Sequence, residues 1–147
     1  MRKNFILIIS LVLLDFLSKT YFKDKHIQLT KYFSFNYVEN TGAIFGLFKN
    51  NNTFFIILTV LLICLLFYYL KKEKHLRLGF SLVLAGAIGN LIDRLIYGFV
   101  IDFIDLKIWP VFNIADSCIT IGVLILIYKS IKTKNLNTIE QHKEHGG

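Results

Sequence analysis

No histidine lies in any of the long apolar runs of this 147-residue chain; His26, His75, His142 and His145 all fall in polar stretches. That removes the base a nucleophile at Cys118 would need, and it leaves a metal site built on Asp102, Asp105 and Asp116 without an imidazole ligand. Cysteine is scarce as well. Cys64 lies in the middle of one apolar run and Cys118 near the end of another. That difference in depth argues against a bridge, and both are expected to be small buried apolar residues. No internal repeat or low-complexity tract is present. The first apolar run lacks the small-x-small site of a cleavable leader and continues into Ser18-Lys19-Thr20-Tyr21-Phe22, so it reads as a retained helix. No basic stretch carries interleaved aromatics, which argues against nucleic acid as a partner despite a net charge of +7.

What the chain does have is apolar sequence in long blocks. Hydrophobic residues make up 54% of it and the mean hydropathy is +0.55. Four runs, 5–22, 54–70, 78–97 and 112–128, approach the roughly 20 residues a helix needs to cross a bilayer. The fold class expected is a single all-α membrane domain of four transmembrane helices. Cations follow the membrane pattern. Arg2 and Lys3 precede the first run, Lys71, Lys72, Lys74 and Arg77 crowd the second link, and Lys129, Lys132 and Lys134 follow the last run. The positive-inside rule then puts both termini and the 71–77 link in the cytoplasm, and the 23–53 and 98–111 links outside. The polar stretch 129–147 reads as a frayed helix end and a disordered cytoplasmic tail.

The outer links carry their own pattern. Phe33-Ser34-Phe35-Asn36-Tyr37 alternates aromatic and polar residues, the period of a strand. Val100-Ile101-Asp102-Phe103 alternates too and is expected to pair with it, giving a small outer sheet with its aromatic face to the lipid. Trp109-Pro110 marks the interface before the last helix.

Polar residues inside the runs are the informative exceptions. Asp15 and Lys19 are four apart and share a helix face. They fit a self-neutralising pair that eases insertion, and equally a pair turned inward to hold a neighbouring loop. Asn90, Asp93 and Arg94 close the third run behind the small residues Ala85, Gly86 and Gly89; they fit a structural hydrogen-bond knot or a polar wall beside a reaction centre. Arg94 is the expected partner of Asp93. Asn113 is placed to cap the fourth helix, with Asp116 three residues on. Asp102 and Asp116 both stand at the outer rim of the apolar block. Each has an ordinary reading, a loop acid and a helix-start acid. Brought together, they can share one proton and activate a water. Asp105 reads as an exposed loop acid.

Together these segments resemble lipoprotein signal peptidase, or signal peptidase II, of the bacterial cytoplasmic membrane. The resemblance spans nearly the whole chain. It rests on Asp15-Phe16-Leu17-Ser18-Lys19, Asn40-Thr41-Gly42-Ala43-Ile44-Phe45-Gly46, Gly86-Ala87-Ile88-Gly89-Asn90-Leu91-Ile92-Asp93-Arg94, Val100-Ile101-Asp102-Phe103 and Phe112-Asn113-Ile114-Ala115-Asp116-Ser117 in that order. It implies an aspartic endopeptidase with Asp102 and Asp116 as catalytic pair and Asn90, Arg94 and Asn113 as polar neighbours. Asn40 and Gly42 then match a loop that contacts substrate or the inhibitor globomycin, and Asp15 and Lys19 a pair supporting the site. The implied substrate is a prolipoprotein carrying diacylglycerol on the cysteine that becomes its first residue, cut on the N-terminal side of that cysteine. No metal or organic cofactor is implied, membrane lipids are the surroundings, and one chain supplies the site. Two positions depart from the family pattern: Ile44 where a second alanine is common and Ala85 where glycine is usual. The competing class is a small transporter or proton relay. It would also keep Asp, Asn and Arg within spans, but near the bilayer midplane rather than at one end.

Overall fold

The computed structural model describes residues 2–42 and 51–145, with side chains as far as residue 133. Four helices, α1 (Arg2–Phe22), α2 (Asn52–Lys72), α3 (Arg77–Ile96) and α4 (Ile114–His145), are combined with three strands, β1 (His26–Thr30), β2 (Phe33–Asn40) and β3 (Val100–Asp105). A 3-10 turn over Lys74–Leu76 joins α2 to α3. The stretches Arg2–Phe22, Asn52–Lys72, Lys74–Ile96 and Ile114–Thr133 are each long and apolar enough to cross a membrane.

α3 is the central helix. Over its apolar window 56% of residues are buried in protein, against 17% for each of the other three. In lipid the hydrophobic effect does not drive helices together, so association rests on close van der Waals packing, which small residues permit. α3 and α4 are built that way. A methyl group on Gly86 would run into the carbonyl oxygen of Ala115, and one on Gly89 would lie 2.6 Å from Asp15 Oδ2. Towards the other end, Ile8, Leu66, Leu70, Val83, Leu84 and Ala85 form the apolar core between α1, α2 and α3. That end is closed by polar bonds. Asn4 Nδ2 donates to Ser81 Oγ at 3.0 Å and Lys129 Nζ to the His75 carbonyl at 2.8 Å.

The strands form an antiparallel sheet in the order β1-β2-β3. β2 meets β3 through Val38↔Asp102, Glu39↔Ile101 and Asn40↔Val100, after a register shift between Phe35 and Val38. β3 continues into a single bridge, Ile104↔Phe112, which closes the 105–111 link and delivers the chain to the start of α4.

Five expectations are corrected. The aromatic face of β2 is packed in part on protein rather than left bare: Phe22, the last residue of α1, stacks on Phe35 at 4.2 Å and on Phe103 at 4.8 Å between ring centroids. Asp105 is buried, not an exposed loop acid; it accepts from Ser34 Oγ at 3.2 Å and pairs with Lys107 at 2.6 Å. Cys64 is exposed on α2, because an apolar residue in a membrane helix need not face protein; Cys118 is buried, and both thiols are free. α4 does not fray after Tyr128 but stays helical to His145. Asp93 pairs with Lys19, not with Arg94. β1 was not anticipated, although Ile27 and Leu29 alternate with polar residues in it.

Because Gly86 sits against backbone rather than a movable side chain, Gly86→Ala is expected to cost about 1–3 kcal/mol. Thermal unfolding in detergent checks this; an unchanged midpoint would show that the α3–α4 contact is looser than described.

Candidate active site

The site is assembled from two ends that lie far apart in sequence. β3 carries Asp102, and the first turn of α4 carries Asp116. Asn113, immediately before α4 and fully buried, connects them. Its Nδ2 donates to Asp102 Oδ1 at 2.7 Å, and its backbone N–H donates to Asp116 Oδ2 at 3.3 Å. Its own Oδ1 accepts from the Asp116 N–H at 2.8 Å. Asn113 and Asp116 are thus a reciprocal helix cap, each side chain serving the other's backbone, and the cap residue holds the second carboxylate as well.

Asp102 is 1% exposed. Its Oδ2 accepts from Asn40 Nδ2 at 2.9 Å. In the sheet Asn40 lies opposite Val100, one place diagonal to Asp102, within reach of a side-chain amide on the same face. Burial, and after it the nearby charge of Asp116, push the Asp102 carboxyl up to about 7; the two amide donors and the Lys19 charge offset only part of that. Asp116 is half-buried and accepts from Asn90 Nδ2 at 2.8 Å through Oδ1.

Behind the pair stands a buried ionic node. Lys19 Nζ donates to Asn90 Oδ1 at 3.0 Å and forms ion pairs with Asp15 Oδ2 at 2.7 Å and Asp93 Oδ2 at 2.9 Å, so three acceptor oxygens surround the ammonium. The two acids each hold a backbone N–H. Asp15 Oδ1 accepts from Ala115 N at 2.8 Å, and Asp93 Oδ2 accepts from Ile101 N at 3.0 Å. Ala115 precedes Asp116 and Ile101 precedes Asp102, so one lysine secures both catalytic candidates through the residues before them. Asp15 and Lys19 form the i, i+4 pair and are both buried, with Asp15 turned to the backbone of α4. Asn90 links node and pair, because its Oδ1 also accepts from Asn113 Nδ2 at 3.1 Å.

Arg94 joins the network from the last turn of α3. Its Nη2 donates to the Gly42 carbonyl at 3.3 Å, and its guanidinium lies 5.0 Å from the centroid of the Phe55 ring. Gly42 is buried, and its N–H donates to Asn40 Oδ1 at 3.1 Å. All nine residues singled out in the sequence, Asp15, Lys19, Asn40, Gly42, Asn90, Arg94, Asp102, Asn113 and Asp116, therefore fall in one connected network. Ile44 and the rest of its motif, 43–46, lie outside the described residues. Sequence reading missed the part that Asp93 takes in the node.

Three alternatives can be weighed on this geometry. Asp105 is turned to Ser34 and Lys107, and among the described residues no group of three His, Cys, Asp or Glu side chains is placed to hold a metal. His26 lies in β1 and His75 in the turn between α2 and α3, neither beside Cys118. The polar cluster occupies the last turns of α3 and the first turn of α4, one end of the bundle, which does not favour a midplane transporter site.

Residues 7–132 match the family model described as Signal peptidase (SPase) II. The chain belongs to that family. It is 42% identical over 114 residues to a lipoprotein signal peptidase of Thermodesulfovibrio yellowstonii, a match covering 74% of this chain and 78% of the relative. It is 44% identical over 102 residues to one of Moorella thermoacetica, covering 67% and 68% respectively. Among solved structures it resembles a bacterial membrane enzyme at 31% identity and a TM-score of 0.85, covering 91% of this chain and 90% of that one. A second such enzyme gives 32% identity and a TM-score of 0.81. The chain is a multi-pass membrane protease.

Lys19→Met leaves Asp15 and Asp93 buried without their cation, at an expected cost of about 3–5 kcal/mol. Thermal unfolding in detergent should show a large fall in midpoint; a variant as stable as the parent would mean the node is not ionic.

Proposed function

We propose that Asp102 and Asp116 are the catalytic pair with which this protease removes the signal peptide from prolipoproteins. The observation that carries the assignment is Asn113, which hydrogen-bonds both carboxylates at once and so holds them to a common centre. Two carboxylates at close range do not both ionise readily, and the pair titrates as a unit. Asp102, buried and raised to about 7, carries the shared proton near neutrality. Asp116, at a helix N-terminus, is the ionised member, favoured there by the helix dipole.

In the reaction Asp116 takes a proton from a water molecule as the water attacks the scissile carbonyl. Asp102 donates its hydrogen bond to the carbonyl oxygen, which gains charge in the tetrahedral intermediate. The roles then reverse: the proton on Asp116 passes to the leaving amine as the C–N bond breaks, and Asp102 recovers its own. Arg94 stays protonated throughout and acts as a fixed charge beside the pair.

The substrate is a precursor whose new first cysteine carries diacylglycerol, cut on the N-terminal side of that cysteine. Its acyl chains remain in the leaflet while its peptide bond reaches the polar rim, so a site at the end of the bundle meets both. Both termini lie in the cytoplasm and the carboxylates face the outer side of the bacterial inner membrane, in keeping with the cations at the 71–77 link. Asn40 and Gly42 border the site where substrate or a globomycin-type peptide binds. One chain suffices, since every member of the network comes from it.

Asp102→Asn and Asp116→Asn are each expected to insert normally and to lower cleavage of a diacylglyceryl-peptide by about a thousandfold or more. Substantial cleavage by either variant removes the pair from the mechanism, and strong inhibition of the parent by a chelator would point to a metal instead.

The pH dependence has a definite sign. A carboxyl with its pKa raised to about 7 keeps its proton below that pH and loses it above, so kcat/KM should decline as pH rises through about 7. A rate still climbing at pH 9 would mean Asp102 is not the acid.

A further inference from the structure

Asp105 is a buried acid that the cleavage chemistry leaves unused. It lies on the link between the two candidate catalytic residues. Asp102 precedes the Ile104↔Phe112 bridge, and Asn113 and Asp116 follow it. Three backbone bonds close that bridge. The Phe103 and Ile104 N–H groups donate to the Phe112 carbonyl at 3.1 and 2.8 Å, and the Phe112 N–H donates to the Ile104 carbonyl at 3.1 Å. The next residue is Asn113, whose amide holds Asp102. Asp105 fixes this hairpin from inside. Its Oδ1 accepts from the Lys107 N–H at 2.9 Å and its Oδ2 from Lys107 Nζ at 2.6 Å. Lys107 is thereby held at φ +63°, which a residue with a side chain rarely adopts. Oδ2 also accepts from Ser34 Oγ at 3.2 Å, tying the hairpin to β2 where Ser34 lies opposite Asp105. The Lys107 contacts hold the Asp105 carboxyl below the usual carboxylate range, so it stays ionised at neutral pH.

We propose that Asp105 is a positioning residue for peptide cleavage: by pinning the 105–111 hairpin to β2 and to Lys107, it sets how closely Asn113 holds Asp102 beside Asp116. The proposal rests on the peptidase reading above. The Asp105 side chain bonds to Ser34 and Lys107 and to neither carboxylate of the pair, so it acts through Asn113. Its loss has a signature in the pH profile. An amide that donates to Asp102 favours the ionised form, so a slackened Asn113 lets burial raise that carboxyl further. Removing the Asp105 charge alone acts in the opposite direction, since a nearby anion raises an acid. The charged groups around Asp102, which are Asp116 from α4, Lys19 from α1 and Arg94 from α3, stay in place.

The test is steady-state cleavage of a diacylglyceryl-peptide by the full chain in detergent micelles, with Asp105→Ala and Ser34→Ala. Asp105→Ala is expected to lower kcat about tenfold while KM stays within about twofold of the parent. The alkaline limb of kcat/KM should move up by about half a pH unit. Ser34→Ala changes no charge and should shift kcat and the limb in the same directions by less, which keeps the proposal testable where Asp105→Ala folds poorly. A limb that moves down, or one that stays put while kcat falls with the folded fraction, overturns the proposal. So does a raised KM with parental kcat, or parental kinetics in both variants. Hydrogen exchange on the same proteins gives a readout independent of activity. Both variants should exchange faster at 103–104 and 112–113 while α3 keeps its protection; acceleration throughout the chain would refute a local positioning role. If the parent cleaves no lipid-modified peptide, the peptidase reading fails, while the exchange result still decides whether Asp105 holds the hairpin.

Discussion

A lysine ammonium with 1% of its surface exposed is the constraint around which this molecule is arranged. Burying such a charge is costly unless it is paired and fully hydrogen-bonded. Lys19 meets that condition only if α1 supplies Asp15 and α3 supplies Asp93 and Asn90 at the same point. The two acids then have lone pairs left over. One accepts from the backbone of β3 and the other from the backbone of α4. Satisfying one buried cation therefore draws three helices and a strand to a common centre. The glycine at position 89 is part of the same solution, since any side chain there would displace Asp15.

This arrangement treats the two candidate carboxylates differently while tying them together. Asp102 comes from a strand whose residues are almost all buried and is bonded to two side-chain amides. Asp116 comes from a helix start, half-buried, with one amide and one backbone N–H. Neutral amide donors orient a carboxylate without supplying the full counter-charge that would fix it as ionised. An acid–base pair needs that freedom, because each member must hold a proton at one stage and release it at another. The formal cations stand one step back: Lys19 is spent on Asp15 and Asp93, and Arg94 on the Gly42 carbonyl and the Phe55 ring.

Much of this was legible in the sequence, because the features concerned are local or periodic. The four apolar runs, the i, i+4 relation of Asp15 and Lys19, the alternation in β2 and β3 and the Asn113–Asp116 cap all follow from spacing. What sequence misjudged was partnership over distance. Arg94 looks like the natural mate of Asp93 because it is next to it, yet adjacent residues on a helix point about 100° apart and do not face each other. Asp93 turns to Lys19, 74 residues earlier, and Arg94 to the Gly42 carbonyl beyond β2. Asp105 looked exposed because nothing local reveals that Ser34 will lie opposite it in the sheet. The aromatic period of β2 was correct, but a period states that a face exists and not what covers it. Here the cover is Phe22, the residue at which α1 ends. Cys64 shows the reverse error, since in a membrane helix hydrophobicity marks contact with lipid as readily as contact with protein.

The position of the polar network along the bundle follows from the same physics. Asn90, Asp93 and Arg94 occupy the final turns of α3, and Asp116 the opening turn of α4, so every charged group near the pair lies at one end of a span. A cluster of this size at mid-depth would have to be enclosed by protein on all sides, and four helices with only α3 central do not supply that enclosure. At the rim the sheet supplies it. β3 covers the pair with its buried strand, Asn40 on β2 reaches over it, and Phe22, Phe35 and Phe103 seal the sheet to the end of α1. The small sheet is therefore what allows a short chain with one central helix to keep the two carboxylates buried or half-buried at one end of its bundle.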